Sequence, residues 1–248
     1  GKNEDWLVAP AAEGLHEVML DNVRFSGAQL DMPFKSEVSA IRFSPYPGEL
    51  TSECGTVTIT SYLDLEETTF ASYGMSQPME LKGVDAVQDN PDDTSTASFK
   101  RDFNPTMRVG RFAVTLDGEA DDDLDVFILY DANRDGTFAS TEVVASGTTP
   151  QGDEFAELPD VGSPGHYQVW VHGYAVNGTG SKFDISIDVV AGNDLDVQTP
   201  PTRLEAGKPT ALQVCVDPTA LAGAEPPLSG VVVMGWKGTT TKLRASVR

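Results

Sequence analysis

The twelve residues Asp131 to Glu142, DANRDGTFASTE, carry oxygen side chains at the spacing that a hard divalent cation requires. Calcium takes six to eight oxygen ligands. In the twelve-residue loop that supplies them, side chains serve at positions 1, 3, 5 and 12, a backbone carbonyl serves at 7, and Gly stands at 6. Here Asp131, Asn133 and Asp135 occupy positions 1, 3 and 5. Gly136 is sixth, Thr137 would offer its carbonyl, and Glu142 would close the set as a bidentate ligand. The same letters also suit a plain hairpin turn, since Asp, Asn and Gly favour turns. The match through Glu142 favours the cation loop. Its flanks, LDVFILY and VVASG, read as strands rather than helices, which makes the direction of Glu142 the least certain part of the set. Asp123 and Asp125, on one face of the preceding strand, are the alternate ligands.

Other chemistry is thin. A serine-peptidase triad needs a Ser, a His and an Asp in fixed roles. The chain has three histidines, His16 in GLHEV and His166 and His172 in HYQVWVHGY, and neither an HGTH nor a GTSMA pattern. No GxSxG or Cys–His pattern occurs. By itself the chain is expected to have no peptidase activity. Tyr167, Trp170, His172 and Tyr174 could form an aromatic binding face for polysaccharide or protein, although packing in the sheet is the favoured reading. Asn177-Gly178-Thr179 matches a glycosylation acceptor.

The elements that must position these residues are strands. Alternating or β-branched runs recur: HEVML, SEVSAIRF, TVTITSYL, ASFKRDF, RFAVTL, LDVFILY, TEVVAS, HYQVWVHGYA, KFDISIDVV, TALQVCV, GVVVMGW and TKLRASV. None sustains a helical period, and turn residues separate them closely. An all-β chain of two sandwich modules is therefore expected. Two linker-like stretches, DAVQDNPDDTST (85–96) and AGNDLDVQTPP (191–201), divide it into segments 1–95, 96–192 and 193–248. The last is too short to bury a core alone. It is expected to pack on the first segment, or to complete a sandwich with it around an inserted middle module.

Composition bounds the partners. The 248 residues carry a net charge of −21, with 38 acidic and 17 basic residues. Nucleic acid and anionic lipid need clustered Lys and Arg, which are absent. No apolar run reaches the roughly 20 residues of a membrane span. No signal peptide is visible, and Gly1 reads as a tag remnant or an internal cut. Cys54 and Cys215 form no CxxC pattern and no disulfide framework. Small buried thiols are the expectation, with a bridge as the alternative.

Taken in order, DLDVFILYD, VVASG, an acidic stretch, PGHYQVWVHGYA and a final alternating strand resemble the bacterial pre-peptidase C-terminal domain, over residues 96–192. The flanks are similar to the C-terminal region of secreted bacterial subtilisin-like serine peptidases. SEVSA and PGELTSECGTVTI would precede the module, and TPPTRLEAGKPTALQVCVDP through GVVVMGW would follow as a fibronectin-III-like segment. The resemblance implies a secreted, non-catalytic tail that partners a catalytic domain lying outside this chain. It would stabilise the enzyme or hold substrate or surface. Members of that family usually have a shorter turn where this chain has Asp131–Glu142, so the loop is a departure and would be a metal-stapled insertion with a structural calcium.

Overall fold

The computed structural model describes residues 41–44, 54–178, 180–217, 228–238 and 243–247. The expected strands in HEVML and the first part of SEVSAIRF lie outside these residues, as do His16 and Trp6. The described chain is nearly all β, with antiparallel sheets and no α-helix among the described residues. Consequently no helix there is long and apolar enough to cross a membrane.

Strands from both ends of the chain share sheets. Strands β1 (Ile41–Ser44), β2 (Cys54–Ser61), β15 (Pro209–Val216) and β13 (Leu195–Gln198) form one sheet in the order β1-β2-β15-β13. Strands β17 (Leu243–Val247), β16 (Ser229–Gly235) and β4 (Thr69–Ser76) form a second, and β3 (Leu65–Glu66) pairs with β14 (Arg203–Leu204). Their shared core includes Val57, Ile59, Leu195, Leu212, Val214, Val232 and Met234. Alternation puts these residues inside: in β15, Leu212, Val214 and Val216 are buried while Ala211 and Gln213 face out.

The cysteine expectation is corrected here. Cys54 and Cys215 stand opposite each other in the β2–β15 register, with Cα atoms 4.0 Å apart, and are disulfide-bonded. Their sequence separation of 161 hid this pairing, which only the sheet topology brings together. Removing such a long-loop bridge typically costs about 2–5 kcal/mol.

The intervening chain builds its own sandwich. One sheet has the order β10-β7-β12-β5, from Glu154–Glu157, Val109–Asp117, Lys182–Ala191 and Met79–Asp85. The other has the order β6-β11-β8-β9, from Phe99–Phe103, Tyr167–Ala175, Asp123–Tyr130 and Val143–Gly147. Phe112, Leu116, Leu124, Ile128, Tyr167, Val169, Ile185 and Ile187 fill the space between them. Strand β5 belongs to segment 1–95, yet it pairs with β12, so this sandwich begins at Met79, ahead of residue 96. The two linker-like stretches are likewise structured. Leu195 and Val197 alternate inward as β13 inside AGNDLDVQTPP. The 85–96 stretch is tied to β11: Asp89 N–H donates to the Gly173 carbonyl at 2.9 Å, and Gln88 Nε2 donates to the Gly173 and Tyr174 carbonyls. Short polar runs hide such order because few apolar residues mark it.

The two sandwiches touch through Tyr73 of β4, Val190 of β12, and Val231 and Val233 of β16. Gly110 is required at this junction, because a Cβ there would overlap the Tyr73 ring.

Candidate functional site

Strand β8 ends at Tyr130, and the chain turns out of the sheet at Asp131. The Asp131 N–H donates to the His166 carbonyl at 3.0 Å, so the loop starts from a fixed point just before β11. The Asp131 side chain is 4% exposed. Its Oδ1 accepts from the Asp135 N–H at 3.1 Å and its Oδ2 from the Gly136 N–H at 3.0 Å. Asn133 Oδ1 accepts from the same Asp135 N–H at 2.8 Å, and its Nδ2 donates to Asp135 Oδ2 at 3.1 Å. Asp135 Oδ1 in turn accepts from the Thr137 hydroxyl at 2.6 Å and the Thr137 N–H at 2.8 Å. Those two bonds, the hydroxyl's first, hold the Asp135 carboxyl below the ordinary carboxylate range. Positive φ at Arg134 (61°) and Gly136 (77°) coils the backbone tightly enough for the three side chains to turn inward.

Residues Ser140–Glu142 form one 3-10 turn before β9. Glu142 reaches back, with Oε2 accepting from the Ala139 N–H at 3.1 Å. Its other oxygen, Oε1, is buried and has no hydrogen-bond partner. The loop thus brings Asp131, Asn133 and Asp135 together and leaves Glu142 held at Ala139 with one oxygen unsatisfied. Among the described residues, no three His, Cys, Asp or Glu side chains converge closely enough to hold a metal ion by themselves. The donor chemistry, all hard oxygen with one orphaned carboxylate atom, is of the kind calcium takes.

The alternate ligands Asp123 and Asp125 are corrected. They sit at the opposite end of β8, where Asp125 pairs across from His172 and Asp123 from Ala175. Six residues of strand put Asp125 roughly 20 Å from Asp131. Burial pushes both carboxyls up, with the Asp123 charge adding to the effect at Asp125. Asp125 Oδ2 lies 3.6 Å from His172 Nδ1, and His172 Nε2 lies 3.0 Å from the Asn90 carbonyl. Nearby Asp122, 3% exposed, accepts from the Asn177 N–H at 2.8 Å and keeps its Oδ2 without a partner.

The aromatic face does not form as a surface. Tyr167 is 2% exposed, Trp170 1% and His172 0%; Tyr174 alone of the four lies open, at 47%. Tyr167 packs between the sheets, donates its hydroxyl to the Ser163 carbonyl at 2.7 Å, and has its pKa pushed up to about 12 by burial and by Tyr130. Trp170 points to the outer face of its sheet. The Asp131–Glu142 loop folds back over that face, and its Phe138 joins Phe127, Leu129, Trp170 and Ala97 in a second small core.

Sequence reading missed His166 and Asp102 as neighbours of the loop. His166 Nε2 lies 2.8 Å from Asp102 Oδ1, its Nδ1 lies 3.8 Å from Asp131 Oδ2, and its ring meets Phe138 edge-on at 4.6 Å. Phe138, the apolar residue at position 8 of the loop, was the only signal that the loop returns to the sheet.

In comparison with known proteins, no family model and no curated sequence matches the chain.

Proposed function

We propose that this chain is a non-catalytic accessory region of a secreted bacterial subtilisin-like serine peptidase, and that Asp131–Glu142 binds calcium in a structural role. The observation that carries the calcium reading is the coiled loop. It gathers the Asp131, Asn133 and Asp135 side chains through their own backbone bonds and leaves Glu142 Oε1 buried without a partner. Calcium would neutralise these carboxylates and tie the end of β8 to the start of β9. Phe138 would then stay seated over Trp170. A cation that binds the folded loop alone stabilises the fold by mass action.

The disulfide supports a secreted location, since such bonds persist in oxidising compartments. His172 is fully buried between Asp125 and the Asn90 carbonyl, which keeps it from meeting a substrate. The accessory role rests on the sequence resemblance. Reading the gene upstream of Gly1 tests it: a domain bearing HGTH and GTSMA patterns is expected, and an upstream sequence without one would refute the assignment. The purified chain is expected to leave casein uncut over hours. Melting in calcium against EDTA tests the loop.

A further inference from the structure

Beside the loop lies an open cleft of about 660 Å³ that the proposed function does not use. Its floor is the outer face of β6 and β11, and its wall is Gly136–Phe138. Lys100 and Asp102 stand two apart on β6 and so share this face. Gln168 and His166 flank them, and Asn104 closes one end.

These side chains hold one another in place. Trp170 Nε1 donates to Gln168 Oε1, and Gln168 Nε2 donates to Asp102 Oδ1 at 2.9 Å. His166 meets the same Asp102 oxygen at 2.8 Å. Lys100 Nζ lies 4.3 Å over the Trp170 ring and donates to the Ser95 carbonyl at 2.7 Å. The polar groups are therefore set on rigid strands before any ligand arrives, which lowers the ordering cost of binding.

We propose that this cleft binds a neutral oligosaccharide. One ammonium and one carboxylate balance within the cleft, so it favours neither a cation nor an anion. The net charge of −21 further disfavours polyanions such as nucleic acid or sulfated glycans. Peptide partners are usually anchored by an aromatic or aliphatic side chain in a dry pocket. Here the indole is sealed at 1% exposure and offers no such pocket. Sugar hydroxyls both donate and accept, and so match an array in which carboxylate, amide, ammonium and imidazole stand side by side. The cleft is open to solvent rather than enclosed, so a chain longer than the site can lie across it. This site replaces the aromatic face that the sequence suggested, and it shares its Gly136–Phe138 wall with the proposed calcium loop.

The test is an amide-resolved NMR titration of the full chain with cellohexaose, xylohexaose and chitohexaose in turn. A heparin hexasaccharide and a tryptic casein digest serve as counter-probes. At least one neutral hexasaccharide is expected to shift amides at 100–104 and 166–170. Asp102→Asn and Lys100→Gln, both on the surface and checked for an unchanged spectrum elsewhere, are expected to weaken it about tenfold each. The titration is run in calcium and in EDTA; cleft shifts in either buffer uphold the oligosaccharide site, and the melting comparison tests the calcium reading separately. The proposal is overturned if no neutral probe shifts the cleft at millimolar concentration, if the shifts map elsewhere, or if either counter-probe binds more tightly.

Discussion

Strand β8 carries carboxylates at both ends, and the two ends solve the same electrostatic problem differently. At its start, Asp122 accepts from the Asn177 amide, and Asp125 lies near the His172 ring at 3.6 Å. Burial there raises the Asp125 pKa. At its finish, Asp131 and Asp135 are caught by amides of their own loop, and hydrogen bonding lowers the Asp135 pKa. Acidic density is similar in both places. What separates them is backbone: a pleated strand points neighbouring carboxylates apart, whereas the coil at Arg134 and Gly136 points three oxygen side chains inward. An acidic run alone is therefore a poor sign of a cation site.

The largest expected effect falls at the start of β8. His172→Ala leaves a cavity, and the Asn90 carbonyl loses its partner, at a cost of about 3 kcal/mol. Chemical denaturation should show this loss equally in calcium and in EDTA. A calcium-dependent difference would mean that the two ends are coupled.

Asp131→Ala comes next. In EDTA it removes the acceptor for two loop amides and costs roughly 1–2 kcal/mol. In calcium its deficit should grow, because the variant no longer gains from the cation. Trp170 provides a local readout once Trp6 and Trp236 are replaced by Phe: chelation should red-shift its emission as Phe138 loosens, and adding Asp131→Ala should give the shifted emission in both buffers.

Glu142→Gln is smaller. The amide can still accept from Ala139, so stability in EDTA should hold. Calcium affinity should fall about tenfold, or 1.4 kcal/mol, as measured by calorimetry. Unchanged affinity would remove Glu142 from the ligand set.

The smallest effect is a difference in pH sign. The folded pKa of Asp125 is raised, so between the unfolded value of 3.8 and that raised value the native state holds more protons. Its contribution to stability is thus lost as pH rises through the folded pKa. Asp135 is lowered, so its contribution is present above 3.8 and lost as pH falls through the folded pKa. In EDTA, Asp125→Asn should raise stability relative to the parent near neutral pH, and Asp135→Asn should lower it. Denaturant midpoints at pH 3, 5 and 7 check both signs.

The same contrast explains what the sequence could reveal. Alternation in HYQVWVHGYA and KFDISIDVV marked the strands and the all-β class, because a two-residue period is local. It also separated Tyr167, Val169 and Val171 from Trp170. It could not show that the Asp131–Glu142 loop would cover Trp170, since cover is a tertiary property that Phe138 alone hinted at. The Cys54–Cys215 bond and the pairing of β2 with β15 were hidden for the same reason. Strand β13 was lost among polar neighbours because only Leu195 and Val197 mark it. The loop letters were legible, as turn chemistry is local, whereas the distance from Asp131 back to Asp125 needed the strand to be laid straight.

The most direct measurement is the melting temperature of the parent chain and of Asp131→Ala, each in calcium and in EDTA. Calcium at a hundredfold above its dissociation constant contributes about 2.7 kcal/mol. That corresponds to roughly 5–10 °C for a domain of this size. The account predicts such a rise for the parent and none for the variant. An unchanged parent melting temperature, or an equal rise in both proteins, would contradict it.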